Sequence, residues 1–178
     1  MAKRVSFSGE HLGLADIDDH HRDTEASLRL YFSAASPAYQ VRFLGYSPAE
    51  VGKELHVRLT ESQLGASLTL LSSLEAAFRI DYLQRCYLRD RSDITRRFRD
   101  LYSEHQDRVR LEEHILDTWA THDTAARALV SELRSAFRFR HWLAHGRYWT
   151  PKLGRRFDYL DLYELAAEVF GSFPFLDA

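Results

Sequence analysis

"TESQLGASLTLLSSLEAAFRIDYLQRCYLR", residues 60–89, is the longest periodic stretch of the chain. Leu64, Leu68, Leu71, Phe78 and Tyr82 recur at steps of four, three and seven, which places them on one stripe of an α-helix. The stretch therefore predicts a long amphipathic helix and a fold built by packing helices. One residue breaks the pattern: Glu75 falls inside the Leu71, Phe78, Tyr82 stripe. A carboxylate on a core-facing stripe is costly unless it is paired. Cys86, among apolar neighbours on the same helix, reads as a small core residue.

The flanking segments repeat the helical period. A first helix is predicted from about Asp19 to Ala35, stopped before Pro37. "YQVRFLGY", 39–46, reads as a short strand or an extended connector. "SPAE", 47–50, is a capping box with proline at the first helical position, opening a short helix that ends near Leu59. Ser92 is placed to cap a helix carrying Ile94, Phe98 and Leu101, and "RVRLEEHILDTWATH" predicts a further one. Thr124–His145 follows, with Leu129, Leu133, Ala136 and Leu143 on one face and Gly146 as its stop. "RYWTPKLGRRF" reads as a loop. Asp158 or Asp161 starts the last helix, which ends at Gly171 before Pro174. The expected fold is all-α: a bundle of four or five helices over 59–178, with residues 1–58 packed on it as an N-terminal extension.

The bulk numbers agree with one globular domain of 178 residues, 45% hydrophobic and 28% charged. No apolar run is long enough to cross a membrane, and "MAKRVSFSGEHLG" lacks the apolar region of a signal peptide. A single cysteine excludes an internal disulfide and a cysteine-built zinc site. These features predict a cytoplasmic protein. The net charge of −2 conceals a polarity. Residues 1–25 hold six acids against three bases, whereas 133–157 hold seven bases and no acid. That basic segment predicts an anionic partner at one place rather than bulk adhesion to nucleic acid.

Within it lies "RFRHWLAHGRYW", residues 138–149. On a helical wheel Arg140 enters the Leu133, Ala136, Leu143 stripe, while Arg134, Arg138, His141 and His145 share a neighbouring face. Glu75 and Arg140 are thus one misplaced acid and one misplaced base on two helices expected to pack. Either they pair, with Glu75 orienting Arg140, or each buries only its stem and extends its head to solvent. His145 sits in the last turn, where the helix dipole favours a cation and an acid/base histidine can be poised. On an ideal helix it lies roughly 140° from Arg140. A loosened helix end or a second copy of the chain would bring the two together.

His141 and His145, at i and i+4, have metal-ligand spacing, but "HWLAH" lacks the glutamate of the HExxH pattern and no third ligand follows. "DIDDHHRD", 16–23, reads as a solvated helix start. No metal or other cofactor is expected. There is no glycine-rich phosphate loop and no serine nucleophile elbow. What remains suits RNA cleavage: a base for the 2′-OH, an acid for the leaving oxygen and a cation for the developing charge. Arg147, Lys152, Arg155 and Arg156, with Arg138, could hold phosphates, and Tyr148 and Trp149 could stack bases. Packing of the two aromatics onto the bundle is the competing reading.

"RHWLAH", 140–145, resembles the R-x(4–6)-H motif of the HEPN superfamily, with Arg140 and His145 at the motif positions. His141 stands at the polar place that is often asparagine there. "SLEAAFRIDY" (73–82), "RHWLAHGRYW" (140–149) and "PKLGRRFDY" (151–159) look like the RiboL-PSP-HEPN branch. The resemblance covers roughly residues 60–175. It implies a four- or five-helix bundle that dimerises so that two motifs share a cleft. It also implies metal-independent endoribonuclease activity in toxin–antitoxin or phage-defence systems. RNA, a second copy of the chain and an antitoxin or operon partner protein are then the expected partners. In that reading Arg140, His145 and His141 are catalytic and Glu75 supports them. Other members bind nucleotides or proteins without catalysis, and a plain helical interaction protein is a third reading.

Overall fold

The computed structural model describes residues 5–88 and 90–176. Residues 1–4, with Lys3 and Arg4 of the charge tally, and Arg89, at the end of the periodic stretch, lie outside them. Seven α-helices carry the fold, with no strand among the described residues: α1 Leu14–Tyr31, α2 Tyr39–Arg42, α3 Pro48–Tyr87, α4 Asp93–His105, α5 Asp117–His122, α6 Ala126–Ala144 and α7 Tyr159–Ser172. A 3₁₀ turn, Gln106–Arg108, and a π-helical turn, Leu111–Leu116, connect α4 to α5. Among the described residues no helix is long and apolar enough to cross a membrane.

Helix α3 is the spine. It runs 40 residues without a break, about 60 Å at 1.5 Å per residue. The capping box forms as predicted: the Ser47 hydroxyl accepts from the Glu50 N–H, and the Glu50 carboxylate accepts from the Ser47 N–H. The break expected near Leu59 does not occur. Thr60 turns its hydroxyl back onto the His56 carbonyl, 2.9 Å away, so it is satisfied inside the helix. Between Val51 and Ser67 no α3 residue is fully buried. The apolar residues of this stretch are only partly covered, Leu55 by Phe32, Phe43 and Val51 and Leu64 by the main core, and that weakened pattern imitates a boundary. The division at 58/59 thus falls inside one helix.

Below it, α3 buries Leu70, Leu71, Leu74, Ala77, Phe78 and Tyr82 against α1, α4, α6 and α7. Leu133 and Ala136 of α6, Leu162 and Val169 of α7, Phe98 of α4 and Ile115 of the π turn close the core. Cys86 is partly buried, its Sγ 3.3 Å from the Phe98 carbonyl, and burial pushes the thiol up to about 11. A second, smaller core of Phe32, Phe43 and Val51 lies near the start of α3. It draws "YQVR" into a helical turn rather than a strand. The same packing ends α1 at Tyr31, while the Asp16 carboxylate, accepting from the Gly13 N–H, starts it five residues earlier than expected.

The segment predicted as one helix over 108–122 instead contains the π turn, whose Ile115 N–H reaches the Arg110 carbonyl at 3.3 Å. Ser92 stands at the start of α4 but caps no helix N–H. Its hydroxyl donates to the Asp90 carboxylate, which also accepts from Thr95. These bonds hold the exposed Asp90 at about 2, below its ordinary 3.8. A depressed carboxylate stabilises the fold above its unfolded pKa, and that contribution disappears as pH falls through the folded one. Asp90→Asn should therefore lower the urea midpoint near pH 7 and converge with the parent near pH 2.

Asp158 starts α7 by accepting from the Asp161 N–H at 2.8 Å, and Gly171 falls inside its last turn. Helix α6 ends in a Schellman motif. The Arg147 N–H bonds the Trp142 carbonyl at 3.1 Å and the Gly146 N–H the Leu143 carbonyl at 3.4 Å. Gly146 has φ +79°, and a Cβ there would meet open space, so an alanine suffers only backbone strain. Gly146→Ala should cost about 1 kcal/mol, read as a shift in urea midpoint with unchanged slope.

Candidate functional site

The C-terminal halves of α6 and α3, the π turn and the loop after α6 enclose a groove of about 600 Å³. Arg140 lies on its wall and is 32% exposed. Its Nη1 is 2.8 Å from a Glu75 oxygen, and its Nε donates to the Ser72 hydroxyl at 3.3 Å. The predicted pair of misplaced charges is therefore an ion pair, at the groove rather than in the core. Glu75, 17% exposed, also accepts from Arg79 Nε at 2.7 Å. One carboxylate bridges two arginines, and its support comes from the rigid spine helix.

His141 lines the groove beside Arg140. His145 does not: its ring lies against His141, centroids 4.3 Å apart. Within one chain the structure joins Arg140 with His141, and His141 with His145. No hydrogen bond or ion pair links Arg140 to His145 directly. Among the described residues no group of three or more His, Cys, Asp or Glu side chains is placed to hold a metal ion. The histidine-rich start of α1 is partly structural, since His21 is buried against the Tyr159 ring.

The basic residues divide. Arg138 and Lys152 line the groove, Arg156 is exposed, and none of the three has an ion pair among the described residues. Arg147 is already engaged: its φ of 58° turns the chain, and its guanidinium makes two 2.9 Å bonds to Glu61 of α3. That contact holds the Glu61 carboxyl below the usual glutamate range. Arg155 faces Glu132 and Asp161 and covers the Phe157 ring, away from the groove. Arg134 pairs with Asp117.

The aromatics divide too. Trp149 is partly buried in the groove wall, and its carbonyl accepts from Trp142 Nε1 at 2.6 Å. Tyr148 is 84% exposed and touches Trp149 edge-on. Trp149 therefore follows the packing alternative, and only Tyr148 has a free face. The Ser135 hydroxyl, bonded to the Leu153 carbonyl at 2.7 Å, fixes the far side of the loop.

Sequence reasoning missed Arg79, Glu112 and Glu113, all of which line the groove. Arg79 was signalled by its i+4 spacing from Glu75. The two glutamates carried no signal, because an ordinary helical period does not anticipate a π turn. Burial pushes the Glu112 carboxyl above the ordinary glutamate range, with Arg138 opposing and Glu113 adding to the shift. Compared with protein families, curated proteins and solved structures, the chain matches none.

Proposed function

We propose that the protein is a metal-independent endoribonuclease of HEPN type, acting as a homodimer on single-stranded or loop RNA. The observation that carries this reading is Arg140. It is a half-buried guanidinium, oriented by Glu75 and Ser72, at the edge of a groove that also presents His141, Arg138 and Lys152. A cation held in place before substrate arrives can stabilise charge that develops on a phosphate without reorganising.

In the proposed step a histidine takes the proton of a ribose 2′-OH, whose oxygen forms a bond to the adjacent phosphorus. The P–O5′ bond breaks, and the leaving oxygen takes a proton from the conjugate acid. The products are a 2′,3′-cyclic phosphate and a 5′-hydroxyl. Arg140 faces the non-bridging oxygens, His145 is the acid/base, and His141 supports it. A dimer lets Arg140 of one chain meet His145 of the partner subunit across a shared cleft. A toxin–antitoxin or phage-defence setting, with a neutralising partner protein, belongs to the same proposal.

The test is cleavage of single-stranded RNA by purified protein in excess EDTA. Arg140→Ala and His145→Ala should each be strongly impaired. Mixing the two impaired variants under subunit exchange should restore part of the activity, because one composite site in each mixed dimer is intact. Full activity in either single variant sinks the site assignment, and failure to complement sinks the shared site.

One observation favours a second reading, a non-catalytic nucleotide- or protein-binding module. Arg140 is already ion-paired with Glu75, and three carboxylates line the groove. That reading predicts thermal stabilisation by a ligand and no product.

A further inference from the structure

The groove holds one acceptor that the proposed chemistry does not use. Glu75 is occupied by Arg79 and Arg140, and Glu113 lies 3.2 Å from Arg110. Glu112 is half-buried on the groove wall, and among the described residues its carboxylate has no ion pair and no hydrogen bond. Arg138 acts on it electrostatically but stands beyond ion-pair distance. A half-buried carboxylate keeps only part of its hydration, and a donor-bearing ligand would complete its hydrogen bonding. The π turn is what places it there: residues 111 to 116 bury Leu111, Ile115 and Leu116 and leave Glu112 facing the groove.

The rest of the wall sorts by chemistry. Arg138, Arg140 and Lys152 present cations, while Phe137, Leu153 and Trp149 present apolar surface. The volume, about 600 Å³, is in the range that takes one small-molecule ligand. A phosphate belongs with the cations, a planar ring with the apolar wall, and a pair of N–H donors with Glu112. A carboxylate offers two adjacent acceptors and no donor. Among the four RNA bases only guanine presents two adjacent donors on one edge, N1–H and the exocyclic N2 amine. Cytosine and adenine each set one donor beside an acceptor, and uracil flanks its single donor with two acceptors.

We propose that Glu112 makes the groove selective for guanine, accepting the N1–H and N2–H₂ donors of a flipped-out base while Arg138 and Lys152 hold its phosphate. This rests on the ribonuclease reading only in taking the groove's ligand to be a nucleotide. Glu112 is a specificity residue and takes no part in bond breaking.

Binding of the 5′-monophosphates of guanosine, adenosine, cytidine and uridine to the full chain, by titration calorimetry at neutral pH, tests it. The guanosine nucleotide should bind about tenfold or more tighter than the uridine one. Glu112→Gln, which replaces one acceptor by a donor at equal size, should abolish that preference. The same variant should bind the uridine nucleotide as well as the parent or better, since it removes a negative charge, and that retained binding reports an intact groove. Glu113→Gln should leave the order unchanged. Equal affinity for all four nucleotides, no binding of any, or a guanine preference that survives Glu112→Gln overturns the proposal. The cleavage assay separates the two readings. Guanine preference without cleavage defeats the ribonuclease alone, and cleavage after every base at equal rates, unchanged in Glu112→Gln, defeats the guanine site alone.

Discussion

Arg140→Ala is expected to lower the rate of RNA cleavage by about 10²–10³-fold, the range for removing one preorganised stabiliser of developing charge. The fold should survive. Arg140 is half-exposed, and Glu75 keeps its 2.7 Å contact with Arg79, so no carboxylate is left unpaired. The loss should appear in kcat, because the guanidinium meets charge that exists fully only in the transition state. Glu75→Gln should produce a smaller fall, also in kcat, since Arg140 stays but loses its orientation. Arg138→Ala should instead raise KM with kcat unchanged, as expected of an exposed phosphate contact. Single-turnover measurements with one RNA oligonucleotide separate these cases. An Arg140→Ala variant whose fall lies in KM alone would show that the arginine binds substrate and does nothing further.

Asp81→Ala is expected to cost about 3–5 kcal/mol of stability, the penalty for leaving one partner of a buried pair alone. Asp81 is 1% exposed and Arg85 5%. Both Asp81 oxygens lie 2.9 Å from Arg85 Nε, and one also accepts from the Leu176 N–H at 3.1 Å. Arg85 donates to the Pro174 carbonyl at 2.6 Å and covers the Trp119 ring. Burial pushes the Asp81 carboxyl above its ordinary range, against the pull of Arg85. The pair thus ties the segment after α7 to the spine helix. Truncating the acid strands a buried guanidinium and frees that segment together. The double variant Asp81→Leu/Arg85→Met should be far less destabilised, because it leaves no charge uncompensated. Urea denaturation checks both. A loss below 1 kcal/mol for Asp81→Ala would mean that Arg85 finds water or another acceptor.

The two predictions concern ion pairs that each have a member on α3, and the pairs were unequally legible. Glu75 stood out because it interrupts an apolar stripe, and Arg140 stood out for the same reason on α6. Burial cost made their pairing one of two readings, and the 2.8 Å contact selects it. Asp81 and Arg85 also lie on the buried side of α3, yet their i, i+4 spacing reads as an ordinary surface pair. What buries them is the segment around Pro174, 89 residues beyond Arg85. Arg147, Arg155 and Trp149 were read by residue type as ligand contacts. Their partners Glu61, Glu132 and Trp142 are supplied by other parts of the fold.

By itself the sequence determined the helical class, through its 3.6-residue period, and the local ends of α3, α6 and α7, through Ser47, Gly146 and Asp158. Caps and glycine stops act within a turn, so neighbouring residues suffice to specify them. It also singled out Glu75 and Arg140 as the two charges on apolar stripes, and the structure decided that they pair. The tertiary structure alone decided that α3 continues through residue 59, that 39–42 coil into a helical turn, and that a π turn brings Glu112 to the groove. It also placed His145 behind His141 rather than opposite Arg140. Each of these depends on what lies across the core from a segment, and packing between distant segments is a property of the assembled fold that no local period records.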